Sequence, residues 1–271
     1  MTPLYVAAWY GFVEGVKILL NAHADIHAVN YRNESALHGA SENGHVAVVV
    51  LLLERGARVD ALDVEHASPL HCASQHEMDE GPTHHIAVIK QLLQRSAAIN
   101  AQDYERKTAL HYAVSRQHSA VVQCLLDLNA DVGMRDSNGN TPLHDATRSI
   151  LDSSIVVSLV SSSSDIRCRN GNQQTPLHLA SRQSRELAAV MIVAWANHLH
   201  PLNTRRHIRI QECITEITRT FHNISSNEYD DILEYLQHPL HVFTLLGDYD
   251  ACEAVVSQRP GVVNDGDYLN V

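Results

Sequence analysis

Thr108-Ala-Leu-His111, followed by Ala113 and then by Val121-Val122 and Leu125-Leu126, is the stretch on which the fold turns. The same tetrad recurs as Thr2-Pro-Leu-Tyr5, Ser35-Ala-Leu-His38, Ser68-Pro-Leu-His71, Thr141-Pro-Leu-His144 and Thr175-Pro-Leu-His178. The steps between first residues are 33, 33, 40, 33 and 34. An alanine stands two places after each tetrad, at Ala7, Ala40, Ala73, Ala113, Ala146 and Ala180. An aliphatic block follows at a matching offset, as in Val48-Val49 and Leu52-Leu53, and then a polar link such as Asp25-Ile26-His27-Ala28. Six copies at this regularity are a repeat, and a fixed period of this length means stacked units.

The tetrad has a physical role in each copy. Ser or Thr caps free N–H groups at a helix start. Proline at the next position sacrifices no hydrogen bond there. Leucine faces the core, histidine can bond backbone of the adjoining turn, and the small alanine lets two helices approach. No unit can bury its apolar faces alone, so neighbours must stack.

These residues resemble the ankyrin repeat, a β-turn followed by two antiparallel helices, over about residues 1–203. The resemblance implies an all-α solenoid of helix-turn-helix units with short β-turn or hairpin links. The step of 40 places seven extra residues within Gln75–His85 of the third unit, and the step of 34 adds one to the fifth, near Ile150–Ser153. The helix-ending glycine survives only as Gly56. His23, Ser96, Asn129, Ser163 and Ala196 stand at the other sites, so those turns should be looser.

Past Trp195 the pattern stops, and His200-Pro201 reads as a break. Ile210, Ile214, Ile217 and Phe221 define one apolar helix face, and Glu228–Gln237 reads as a second helix. Residues 204–238 are thus expected to be a helical insertion. Pro239-Leu240-His241 restores three tetrad residues, making residues 239–271 a degenerate seventh repeat. Both ends lack an obvious polar cap, so end-to-end self-association is a further expectation.

Composition narrows the function. The chain has 271 residues, 20 basic against 31 acidic, a net charge of −11. No basic run offers a phosphate-binding surface, so nucleic acid is not an expected partner. The longest apolar stretch, Leu187–Ala196, has half the length of a membrane span, and no membrane partner is expected. Met1–Val16 carries no basic stretch ahead of its apolar residues, so no secretory leader is expected. The five cysteines (Cys72, Cys124, Cys168, Cys213, Cys252) fit neither a disulfide framework nor zinc spacing. A cytoplasmic protein with reduced thiols is expected, with the nucleus as the alternative.

Nineteen histidines invite a metal or acid–base reading. Six (His38, His71, His111, His144, His178, His241) are tetrad residues on successive units and cannot converge; His45 and His118 share an inter-helix turn position. The best ligand set, His76, Glu77, Asp79, Glu80, His84 and His85, sits in a loop without fixed geometry. No GxSxG, P-loop or GxGxxG occurs. No catalytic residue, metal or cofactor is expected.

In the ankyrin family the contact surface comprises turn tips and the exposed face of each first helix. The resemblance therefore implies a scaffold that binds another protein, with the partner-binding positions carried over unit by unit. They are Trp9, Tyr10, Tyr31, Arg32, Glu42, Asn43, Glu65, Gln75 and His76, then Tyr104, Glu105, Lys107, Arg116, Asn138, Arg148 and Arg182. Four of fourteen aromatic residues fall on these positions, which have no evident structural need of them. The alternative is an accessory protein or enzyme with a small-molecule pocket between the solenoid and helices 205–237.

Overall fold

A computed structural model describes residues 1–75, 83–148, 153–184, 187, 188, 190–192, 194 and 195. Eleven helices are defined among them. In chain order they are α1 Pro3–Trp9, α2 Val13–Asn21, α3 Ala36–Glu42, α4 Val46–Glu54, α5 Pro69–Gln75 and α6 Thr83–Gln94. Then come α7 Ala109–Ser115, α8 Ser119–Asp127, α9 Pro142–Ala146, α10 Ser153–Ser161 and α11 Pro176–Gln183. The proposed third-unit insertion falls largely on residues 76–82, and the fifth-unit extra residue on 149–152. Both lie outside the described residues, as do the helical insertion and the seventh repeat.

The chain divides into two compact units, Met1–Thr175 and Pro176–Val271. In the first, odd helices pack successively, α1 on α3, α3 on α5, α5 on α7 and α7 on α9. The even helices α2, α4, α6, α8 and α10 form a second layer. The tetrad leucines Leu37, Leu70, Leu110 and Leu143 lie between the layers, all but excluded from solvent. Leu52, Ile89, Leu125 and Leu159 of the even helices are likewise excluded from solvent. Each such side chain contributes about 2 kcal/mol on burial, which is why an almost wholly aliphatic core suffices. In the second unit α11 begins at Pro176 and buries Leu177 and Ala180.

A ladder of buried histidines couples one tetrad to the next. The backbone N–H of Ser35 donates to His38 Nδ1 at 3.1 Å, and the same bond recurs at Ser68–His71, Thr108–His111 and Thr141–His144. An N–H aimed at Nδ1 requires that nitrogen to be bare, so the ring proton sits on Nε2. Nε2–H then donates to a carbonyl of the following turn: Ala67 from His38, Ala101 and Lys107 from His71, Asn140 from His111 and Gln174 from His144. Burial lowers the pKa of all four rings, His144 to about 4, because an imidazolium there would lose its hydration. Tyr5 holds the equivalent place in the first tetrad and reaches forward differently, its hydroxyl donating to Glu34 Oε2 at 2.8 Å.

A second set of histidines ties units at the inter-helix turn. His45 Nε2 bonds Trp9 O at 2.9 Å, and His85 Nε2 bonds Glu42 O at 3.0 Å. Gly11 faces the His45 ring, which a Cβ would meet at 2.6 Å, and its φ is +67°. His85, a candidate metal ligand by sequence, is thus committed to joining two repeats, while His84 is exposed. His76, Glu77, Asp79 and Glu80 lie outside the described residues.

Candidate functional site

The loop ahead of each tetrad from Ser35 onward is built around one buried Asn or Asp. Asn30 Oδ1 accepts the N–H groups of Arg32 and Glu34. Asp63 accepts from Glu65 and Ala67, both at 2.8 Å. Asp103 accepts from Lys107, Asp136 from Asn138 and Asn140, and Asn170 from Asn172 and Gln174. These caps leave the next two residues projecting as a tip, and they were missed by the sequence reasoning. The signal was present, since an Asn or Asp stands five residues before each of the five tetrads from Ser35 onward.

Successive tips are hydrogen-bonded into a row: Val64 N to Arg32 O, Tyr104 N to Glu65 O, Ser137 N to Glu105 O and Gly171 N to Asn138 O, at 2.7–3.0 Å. The only β-bridge among the described residues is Val29 with Ser35. The hairpin links are therefore mostly capped loops.

Where the row meets the odd helices, a groove of about 500 Å³ opens. Glu65, Gln75, Asp103, Tyr104, Glu105, Lys107, Tyr112, Ser115 and Arg116 line it. Six of these are sequence-predicted contact residues; Asp103, Tyr112 and Ser115 are not. The groove is internally wired. Tyr112 Oη donates to Asp103 Oδ2, and Lys107 Nζ to Glu105 Oε2 while lying 5.8 Å from the Tyr112 ring. Burial and the Asp103 carboxylate push the Tyr112 phenol up, so it stays neutral. Burial alone would lower Lys107, but its bond to Glu105 prevails and holds it charged. Arg116 is exposed at the rim, and no carboxylate among the described residues pairs with it.

The other predicted positions divide. Tyr10 and Tyr31 project into solvent, 76% and 80% exposed. Arg32 is exposed and lies between Glu34 at 3.6 Å and Glu65 at 3.7 Å. Asn138 is exposed, and so is Arg148, 3.7 Å from Asp145. Arg182 is exposed on the second unit. Glu42 is half-buried, and His76 lies outside the described residues.

Two aromatic residues depart from the expectation that their positions have no structural need of them, and Asn43 is tied into the fold as well. Trp9 is half-buried and stacks on Tyr5 with ring centroids 5.8 Å apart. Tyr104 stacks on His66 of the preceding tip at 3.9 Å. Asn43 donates from Nδ2 to Gly39 O, closing the end of α3. In each case a polar or aromatic side chain at a helix end or tip finds its nearest partner in its own or the adjoining unit.

Burial raises the thiols of Cys72, Cys124 and Cys168, which keeps them protonated. No group of three or more His, Cys, Asp or Glu side chains among the described residues is placed to hold a metal. No helix there is long and apolar enough to cross a membrane.

Paired helices in two layers, a capped tip between successive pairs and a groove beneath the tips define a helical repeat solenoid. The family model of ankyrin repeats (3 copies) matches residues 4–103 and 80–170, and the chain belongs to that family. No curated protein matches it. Ankyrin repeats are in general modules of protein–protein interaction.

Proposed function

We propose that the chain is a non-catalytic scaffold or adaptor that binds a partner protein through its turn tips and the exposed face of its odd helices. The observation that carries this reading is the groove, which gathers Glu65, Gln75, Tyr104, Glu105, Lys107 and Arg116 around Tyr112. Aromatic and arginine side chains are the usual anchors of such contacts. Tyr10 and Tyr31 supply apolar anchors toward one end, and Arg116 and Arg148 supply unpaired or weakly paired cations further on. A partner segment with apolar residues followed by acidic ones suits that order. The working compartment under this reading is the cytoplasm or nucleus.

The test is affinity purification on the full chain, followed by titration of the recovered partner. Replacing Tyr31 and Tyr104 by alanine should weaken binding by at least about 2 kcal/mol if either is a hot spot. A partner that binds the double variant as tightly as wild type sinks the proposed surface.

We also propose that two copies associate end to end through the outer face of α1 and α2. Val6, Tyr10, Phe12 and Ile18 are exposed there, while Leu51, one period after Ile18, is buried beneath its neighbours. The face thus continues the surface by which repeats already pack on each other. Sedimentation across a concentration range should show dimers that Ile18→Asp abolishes; a monomer at every concentration rejects the idea.

A further inference from the structure

Two tips carry the dipeptide Asn-Gly, Asn138-Gly139 and Asn170-Gly171. Glycine offers no side chain to shield its nitrogen, so that nitrogen can reach the carboxamide carbon before it. The structure treats the two asparagines differently. Asn170 is 6% exposed and its side chain is fully engaged: Oδ1 accepts from Asn172 and Gln174, and Nδ2 donates to Asn140 Oδ1 at 2.9 Å. Asn138 is exposed, and its carboxamide makes no hydrogen bond among the described residues. Only its backbone is held: its N–H donates to Asp136 Oδ1 at 2.9 Å, and its carbonyl accepts from Gly171 N at 2.8 Å.

We propose that Asn138 is a site of spontaneous covalent modification, deamidating through a cyclic imide, and that the fold protects Asn170 from the same reaction. The Gly139 nitrogen gives its proton to hydroxide and attacks Asn138 Cγ. The N–Cγ bond forms, the Cγ–Nδ2 bond breaks, and ammonia leaves with a proton from water. Water then opens the ring. Attack at the side-chain carbonyl leaves aspartate; attack at the main-chain carbonyl leaves isoaspartate, with the backbone running through the former side chain. Either product adds one negative charge to the tip.

In the closed tip the Gly139 N–H is bound to Asp136 O at 3.0 Å, so reaction waits on local opening. A short exposed loop opens far more readily than the core. The Asp136 side chain, which holds Asn138 and Asn140 together, sets how often that happens. Isoaspartate inserts one carbon into a backbone that has no space for it, since a Cβ on Gly139 would already lie 2.8 Å from Gly171 N. It also turns the carbonyl that accepts from Gly171 into part of a free carboxylate. Because the acceptor then sits on a branch off the rerouted backbone, the tie between these two tips is displaced in the isoaspartate form, whereas the aspartate form keeps it.

The test is incubation of the purified full chain at mildly alkaline pH, with peptide mapping of both tips. The Asn138 peptide should gain one mass unit and split into aspartate and isoaspartate forms, at a rate rising with hydroxide. The Asn170 peptide should stay unchanged over the time in which Asn138 half converts. Asn138→Gln should remove the signal at that position, and Asp136→Ala should hasten conversion of Asn138. Hydrogen exchange at Gly171 N–H should speed up in the aged protein. No conversion at Asn138, equal conversion at both sites, or conversion at Asn170 first would overturn the assignment. Unchanged exchange at Gly171 would overturn the displacement of the tie.

Discussion

Single residues in this chain accept backbone conformations that ordinarily call for glycine. His23, Ser96, Asn129 and Ser163 end their helices with φ of 62°, 66°, 62° and 71°, at the positions equivalent to Gly56 with φ 90°. A residue with a Cβ is strained there, so the turn is retained at a cost rather than lost. Ala196, the remaining such position, lies outside the described residues. Ser96→Gly should stabilise the fold by about 0.5–1 kcal/mol, measured by urea unfolding. Gly56→Ala should cost a similar ~1 kcal/mol, and there the effect is purely conformational. No atom lies within 4 Å of a Cβ built on Gly56. If Gly56→Ala is neutral, backbone strain at these sites has been overestimated.

At the level of the element, stability divides between helix faces and tips. Leu110→Ala should cost roughly 2–5 kcal/mol, because it opens a cavity between layers that cannot close. Asp63→Ala leaves two N–H donors of the tip, those of Glu65 and Ala67, without their acceptor and should cost about 1–2 kcal/mol, while leaving the helical circular dichroism intact. A larger loss than Leu110→Ala would mean the tips, not the core, hold the stack. The helices were legible because tetrad, alanine and aliphatic block each repeat with the period of one unit. The tips were less so, because their order comes from a single Asn or Asp whose role appears only when its two N–H partners are seen. Groove membership was half legible. Tyr104, Lys107 and Arg116 follow from tip and helix positions, but Tyr112 enters through a hydrogen bond to Asp103 that no spacing rule foretells. The stacking of Tyr104 on His66 was illegible for a similar reason, as it joins tips of neighbouring units.

For the molecule as a whole, the histidine ladder makes stability a function of pH. His38, His71, His111 and His144 have folded-state pKa values below the unfolded ~6.5, so the unfolded chain binds more protons as pH falls. Stability should therefore be full above about pH 7.5 and fall through the 6.5 region, each ring contributing up to about 1.4 kcal/mol per pH unit. Asp145 acts in the opposite sense. Burial raises it to about 6 from 3.8, so its charged form weakens the fold as pH rises through that interval. One carboxylate thus offsets part of the loss from four imidazoles in the lower half of the range. Thermal unfolding between pH 7.5 and 5.5 checks the sign. A flat profile would mean the rings are not held neutral.

The row of tip hydrogen bonds has a mechanical consequence. It begins at Arg32 with Val64, whereas the α1–α2 pair is joined onward through Tyr5 with Glu34, His45 with Trp9 and the exposed pair Arg55 with Asn21, without a tip bond among the described residues. Tension applied along the stack passes through its junctions in series, so the least tied one yields first. Stretched in an optical trap, the Met1–Thr175 unit should release its leading pair at the lowest force and then give way repeat by repeat. A 33-residue period pays out a contour of roughly 110 Å at ~3.4 Å per residue. The third period, with 40 residues, should stand out as a step longer by about 20–25 Å.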